Sequence, residues 1–288
     1  MSTVDFIRAA DLAQALAVKA ERPEAVPIAG GTDVMVELNF DRRRPAALLD
    51  LTAVAELASW SREDGRIRLG AGVPYARIIA ELRDDLPGLA MAARTVGSPQ
   101  IRNRGTVGGN LGSASPAGDA HPPLLALDAT VELASVRGVR TVPAAEFFLG
   151  PKRSALAPDE LVTAVLLPAG AGPQQFAKVG TRNAMVIAVC SFALALRPAT
   201  RTIGTGIGSA GPTPLRAPAA EALAADLPWA DPGPLPAALA AEFGTLVGAA
   251  ASPIDDVRGT AAYRRHALAV LARRTLAWTW DEYRTGRR

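Results

Sequence analysis

The chain of 288 residues is 49% hydrophobic and sets 31 Lys and Arg against 28 Asp and Glu, a net charge of +3. This is a globular composition long enough for about two compact units. So small an excess of basic residues, scattered apart from such short runs as Arg42–Arg44 and Arg287–Arg288, argues against a nucleic-acid partner.

At the start, Met1–Ala10 lacks a basic segment followed by an apolar core, so no secretory signal is expected. No apolar run approaches the roughly 18 residues of a membrane span, and the expected compartment is the cytoplasm. Asp11–Ala20 has helical spacing, Ala25–Ala29 reads as a strand entering a turn at Gly30-Gly31, Val34–Asn39 as a helix and Ala47–Leu51 as a strand. That alternation predicts a small unit with parallel strands. Ile67–Leu69 then reads as a strand after the Asp64-Gly65 turn, and Tyr75–Leu82 and Gly88–Val96 as helices. Gly97–Gly118 is Gly-rich and without periodicity, and aperiodic stretches of that length in a compact domain tend to be functional. Pro122–Asp128 is helical, Thr130–Ser135 and Leu161–Leu167 are strands, and Pro143–Glu146 opens a short element. Ala169–Pro173 reads as a linker, giving expected units of 1–170, divided near 55, and 174–288. Beyond it, Gln175–Gly180, Val186–Leu196 and Arg201–Gly208 suggest an antiparallel sheet. Pro214–Phe243 suggests broken helix, and Thr260–Tyr283 an amphipathic helix with Tyr263, Leu268, Leu271 and Leu276 on its apolar face.

Two glycine pairs carry the chemical signal. Ala29-Gly30-Gly31-Thr32-Asp33-Val34 joins a strand to a helix, where main chain without Cβ can approach a ligand and free N–H groups can hold a phosphate. Thr32 adds a hydroxyl, and Asp33 either caps the helix or takes a sugar-like hydroxyl. Thr106-Val107-Gly108-Gly109-Asn110 presents a second pair, with Arg102 and Arg104 nearby and Asp119 as an acceptor further on. Each loop alone is also compatible with an ordinary turn; the two together favour a dinucleotide. Neither is a GxGxxG or Walker pattern.

These two runs, with Asp119, Pro122, Phe176-Ala177-Lys178 and the segment Asp256–Arg265, resemble the FAD-binding subunit of the molybdenum hydroxylases, the xanthine dehydrogenase and carbon monoxide dehydrogenase type. The likeness runs from about Asp5 to about Leu276. It implies an α+β architecture, with a two-part FAD-binding domain of the molybdopterin dehydrogenase type followed by a smaller domain of sheet plus helices. It implies FAD held by main-chain groups of Ala29, Gly30, Gly31, Thr32, Asp33 and Val34 and of Thr106, Gly108, Gly109 and Asn110. Asp119 would then meet ribityl or ribose hydroxyls, and Val162 and Lys178 would make further contacts. It also implies partners, a large subunit with the molybdenum cofactor and a small subunit with two [2Fe–2S] clusters. Electrons would pass from those clusters through this chain to NAD⁺, a quinone or O₂. Relatives often carry Ser or Glu where this chain has Asp33, which leaves the role of that residue open.

The cysteine content fits such a division of labour. The single thiol, Cys190, permits neither an intrachain disulfide nor a Cys-ligated cluster, and its Val-Cys-Ser-Phe setting marks it as a packed small residue. His121 and His266 are too few and too far apart for a metal site, and no catalytic acid or base is expected. His266 reads as structural. Arg182, Arg216 and Arg258 read as surface or interface residues. The competing expectation is a self-sufficient flavin-dependent oxidase or dehydrogenase of a small molecule. It would need a base over the flavin, and His121 is the only histidine near the glycine-rich runs.

Overall fold

The computed structural model describes residues 4–170 and 172–286; Met1–Thr3, Ala171 of the expected linker and the Arg287–Arg288 pair lie outside the described residues. The first lobe is a three-stranded parallel sheet in the order Asp5–Arg8, Ala47–Asp50, Val26–Ile28. Its central strand is buried along its whole length, as a parallel strand covered on both faces must be. Helix Leu12–Glu21 begins where the Asp11 carboxylate accepts from the Gln14 N–H at 2.8 Å. The strand Asp5–Arg8 has no sequence signature, because its side chains are mostly exposed and it is recruited by pairing with Ala47–Asp50. Helix Val34–Asn39 forms as expected, yet none of its residues is buried.

The second lobe is a five-stranded antiparallel sheet in the order Trp60–Glu63, Arg66–Gly70, Leu161–Pro168, Thr130–Ser135, Gly138–Pro143. Its centre, Leu161–Pro168, carries a bulge between Val162 and Ala164. The bulged Thr163 gives its carbonyl to the Ala71 N–H at 2.9 Å, which draws the Ala71-Gly72 turn against Val162. The outer strands Trp60–Glu63 and Gly138–Pro143 escape sequence reading because edge strands are short and polar.

The stretch Gly97–Gly118, expected to be aperiodic, holds two short helices, Pro99–Arg104 and Val107–Ser113. At 6 and 7 residues each is too short to display a period, and three of the seven residues in the second are glycine. Tertiary bonds fix them instead. The Tyr75 N–H donates to Gly105 O at 3.0 Å, the Gly108 N–H to Ala71 O at 3.1 Å, and Thr106 Oγ1 caps the Gly109 N–H at 2.9 Å.

Beyond the linker, Gln174–Val179, Cys190–Arg197 and Thr202–Gly208 form an antiparallel sheet against helices Ala237–Ala250 and Ala261–Thr285. The middle strand starts only at Cys190, so the expected segment from Val186 is partly loop. The broken-helix stretch resolves into Pro218–Ala222, a short turn and the start of Ala237–Ala250. In the last helix Leu268 and Leu276 are buried, whereas Tyr263 is exposed. Cys190 is buried, and burial pushes its thiol up to about 12, so it packs rather than reacts.

Glycines join the two units. Gly204, Gly206 and Gly208 share one face of their strand, and helix His121–Ala126, buried along its whole length, lies directly on it. A Cβ at Gly204 would sit 2.0 Å from Ala126 O, and one at Gly206 2.0 Å from Pro122 O. Arg197 donates to Ala126 O at 2.7 Å, and Arg197 and Arg216 both pair with Asp128. His121 opens that helix and packs within the first unit. It is fully buried, its ring lies 4.5 Å from that of Phe148, and burial lowers its pKa to about 4.

Two outcomes follow for stability. Gly206→Ala drives a methyl into the main chain of Pro122 and is expected to cost about 3 kcal/mol in denaturant unfolding. Because the folded pKa of His121, about 4, lies below its ordinary value of 6.5, the unfolded chain takes the proton first. Stability should therefore fall as pH drops from about 6.5 towards about 4, and His121→Gln should flatten that slope in denaturation curves recorded at stepped pH.

Candidate functional site

A cavity of 410 Å³ lies where the two lobes meet, walled by residues 29–34, by Gly105, Thr106 and Gly108–Asn110, and by Leu161 and Val162. Its size is that of a small-molecule or cofactor pocket. Main-chain contact brings the walls together. A Cβ on Gly30 would lie 1.8 Å from Arg104 O, so the first loop rests directly on the backbone leading into the second. Gly31 has φ +75, a left-handed conformation, and Asp33 is right-handed at φ −102, ψ −50. Among the described residues, none accepts a hydrogen bond from the N–H of Gly30, Gly31, Thr32 or Asp33.

The second loop works differently from the expectation that its amides also grip a phosphate. The N–H groups of Gly108 and Gly109 are engaged as described, and that of Asn110 donates to Thr106 O at 3.0 Å. What this loop contributes is space. A Cβ on Gly109 would meet only Thr106 Oγ1, at 3.1 Å, and one on Gly112 would meet nothing within 4 Å. Gly108 is glycine for another reason, since its Cβ would lie 2.4 Å from that of Ala71.

Of the single residues expected at the site, Val162 is in the cavity wall. Asp33 also lines it but makes no capping bond, so its carboxylate is left for the cavity. Asp119 and Lys178 do not line it. They form a nearly buried ion pair of 2.6 Å between the two units, and Thr95 Oγ1 donates to the same Asp119 oxygen at 3.1 Å. Burial pushes the Asp119 carboxyl up, against the opposing pull of Lys178, and its second oxygen, Oδ1, has no partner. His121 is also outside the cavity, with Nε2 3.2 Å from Asn110 O. His266 is exposed on the last helix. Arg258 and the buried Arg264 both pair with Asp256, which makes the Asp256–Arg265 segment a structural brace.

Sequence reading missed Tyr75, Ala71-Gly72 and Gly112 in the wall, and Glu37, Arg43 and Lys152 in its charged part. Gly112 had a signal, being one helical turn after Gly109 and so on the same face. Lys152 had none, because it arrives from a hairpin distant in sequence. No group of three or more His, Cys, Asp or Glu capable of holding a metal occurs among the described residues.

Comparison with known proteins agrees with this geometry. Residues 2–170 match the family of the FAD binding domain in molybdopterin dehydrogenase, and residues 175–279 the CO dehydrogenase flavoprotein C-terminal domain. The chain is 35% identical over 233 residues to a putative xanthine dehydrogenase FAD-binding subunit of Escherichia coli K12, covering 77% of this chain and 80% of that one. It is 34% identical to the nicotine 6-hydroxylase medium subunit of Paenarthrobacter nicotinovorans, over 86% of this chain and 87% of that one. Among solved structures, a carbon monoxide dehydrogenase chain from Hydrogenophaga pseudoflava superimposes with a TM-score of 0.87 at 26% identity, over 96% of this chain and 98% of that one. With both halves of the chain matched in order, the chain belongs to the FAD-binding subunits of the molybdopterin-dependent dehydrogenases.

Proposed function

We propose that this chain is the electron-exit subunit of a molybdenum hydroxylase complex. In this reading it receives electrons from the [2Fe–2S] clusters of a small partner subunit, while a large partner subunit holds the molybdenum cofactor. It delivers them to NAD⁺, a quinone or O₂. The carrying observation is the run of unpaired amides from Gly30 to Asp33 lining a cavity whose opposite wall is kept open by Gly109 and Gly112. A dinucleotide diphosphate supplies the acceptors those amides lack, at a cost in strain that Gly31 removes.

When bound, FAD supplies the chemistry that links one-electron donors to two-electron acceptors. The chain binds and orients it. In this reading the amides of Ala29–Val34 hold the diphosphate, Asp33 accepts from a hydroxyl, and Val162 flanks the ligand. Thr106, Gly108, Gly109 and Asn110 shape the floor. Asp119 and Lys178, paired outside the cavity wall, are assigned to the cofactor's hydroxyls in the same reading, Asp119 through its unpartnered Oδ1. The units 1–170 and 174–288 then divide the labour into a cofactor domain and a supporting domain. The single buried cysteine supports placing the clusters on another subunit. The same reading has the chain working in the cytoplasm; no described helix is long and apolar enough to cross a membrane. A self-sufficient flavin enzyme is disfavoured because His121, its candidate base, is buried outside the cavity.

The glycines separate binding from folding. Gly109→Val should melt close to the parent yet bind FAD at least about tenfold more weakly, because its side chain enters the cavity rather than the protein. Gly30→Ala should instead lose stability, because its methyl strikes Arg104 O. Flavin absorbance titration and thermal melting read the two effects, and full FAD affinity in Gly109→Val would reject the cleft as the cofactor site. Native purification should bring down a molybdenum subunit and a [2Fe–2S] subunit. Turnover of a small molecule by the chain alone would replace the electron-exit reading with the self-sufficient one.

A further inference from the structure

Helix Val34–Asn39 carries the amide loop, yet none of its side chains is buried, so hydrophobic packing does not hold it over the cleft. Its tie to the second lobe is electrostatic. Glu37 accepts from Lys152 at 2.6 Å across 115 residues of chain, and Arg43 stands 3.7 Å from the other Glu37 oxygen. All three residues line the cavity.

Lys152 is aimed across the cleft by an unusual backbone. It sits in the turn between strands Phe148–Gly150 and Arg153–Ser154 with φ +55, and its N–H donates at 3.0 Å to Ala114, itself at φ +44. Two non-glycine residues in the left-handed region, joined by one hydrogen bond at the end of the glycine helix, are strained, and strain of this kind collects where geometry serves a site. The hydrogen bond from Lys152 also holds the Glu37 carboxyl below its ordinary range.

We propose that Glu37 and Lys152 form a clasp across the mouth of the cleft, positioning the amide loop over the bound cofactor and setting how fast it leaves. This rests on the cleft being the FAD site. Lys152 is well exposed and Glu37 less so, at 66% and 24%, which limits the pair to a modest and salt-sensitive contribution.

The test is the dissociation rate of FAD from the loaded full-length chain, followed by the return of free-flavin fluorescence after dilution. Lys152→Met and Glu37→Gln are each expected to speed release about threefold at low salt. The double variant Glu37→Gln/Lys152→Met should release FAD no faster than either single variant, whereas two unconnected structural losses would add. High salt should bring the parent to the rate of the single variants and leave those variants nearly unmoved. Parent-like release from both single variants, salt-insensitive release from the parent, or additive losses in the double variant would overturn the clasp while leaving the cofactor site standing. A parent chain that takes up no FAD overturns both.

Discussion

The contact on which the molecule depends is main chain against main chain, Gly30 resting on the carbonyl of Arg104. It brings two loops from different lobes close enough to bound one cavity. Any side chain at Gly30 would hold them apart, and the unpaired amides of the first loop would then face solvent rather than an enclosed cleft. The neighbouring glycines have separate duties. Gly31 supplies a left-handed turn, Gly108 lets its helix close on Ala71, and Gly109 keeps the cavity clear.

The same device joins the two units. Gly204, Gly206 and Gly208 strip one strand face to backbone so that helix His121–Ala126 can lie on it, and that helix follows directly from the second glycine-rich segment. The C-terminal sheet therefore backs the cleft rather than standing apart. Lys178, on that sheet, reaches Asp119 through this contact, and two nearly buried charges are tolerated there because they meet each other. Helix Val34–Asn39, by contrast, is tied across the cleft by charge, through Glu37 and Lys152.

Division of labour follows from what the chain has and lacks. It offers amides, space and an apolar wall, which suffice to bind and orient a dinucleotide. It brings one inert buried thiol, one buried neutral histidine and one exposed histidine. The redox chemistry belongs to the FAD that the family's binding domain holds.

Much of this was legible in the residues themselves. Strand and helix periods marked Val26–Ile28, Val34–Asn39, Ala47–Asp50 and the long final helix, and the glycine pairs stood out as places where backbone must come close. Periodicity and glycine are local properties, set by the pleat, the helical turn and the missing Cβ, so a linear sequence displays them. What each glycine approaches is not local. Only the fold shows that Gly30 meets Arg104, that Thr106 takes the amide expected to bind a phosphate, and that Asp119 turns to Lys178. The helices at 99–104 and 107–113, the edge strands and Lys152 at the mouth were equally hidden, since each owes its place to partners far along the chain. Sequence determined which residues can come close; the tertiary structure decided which ones do, because hydrogen bonds and steric contacts are satisfied between segments and not within them.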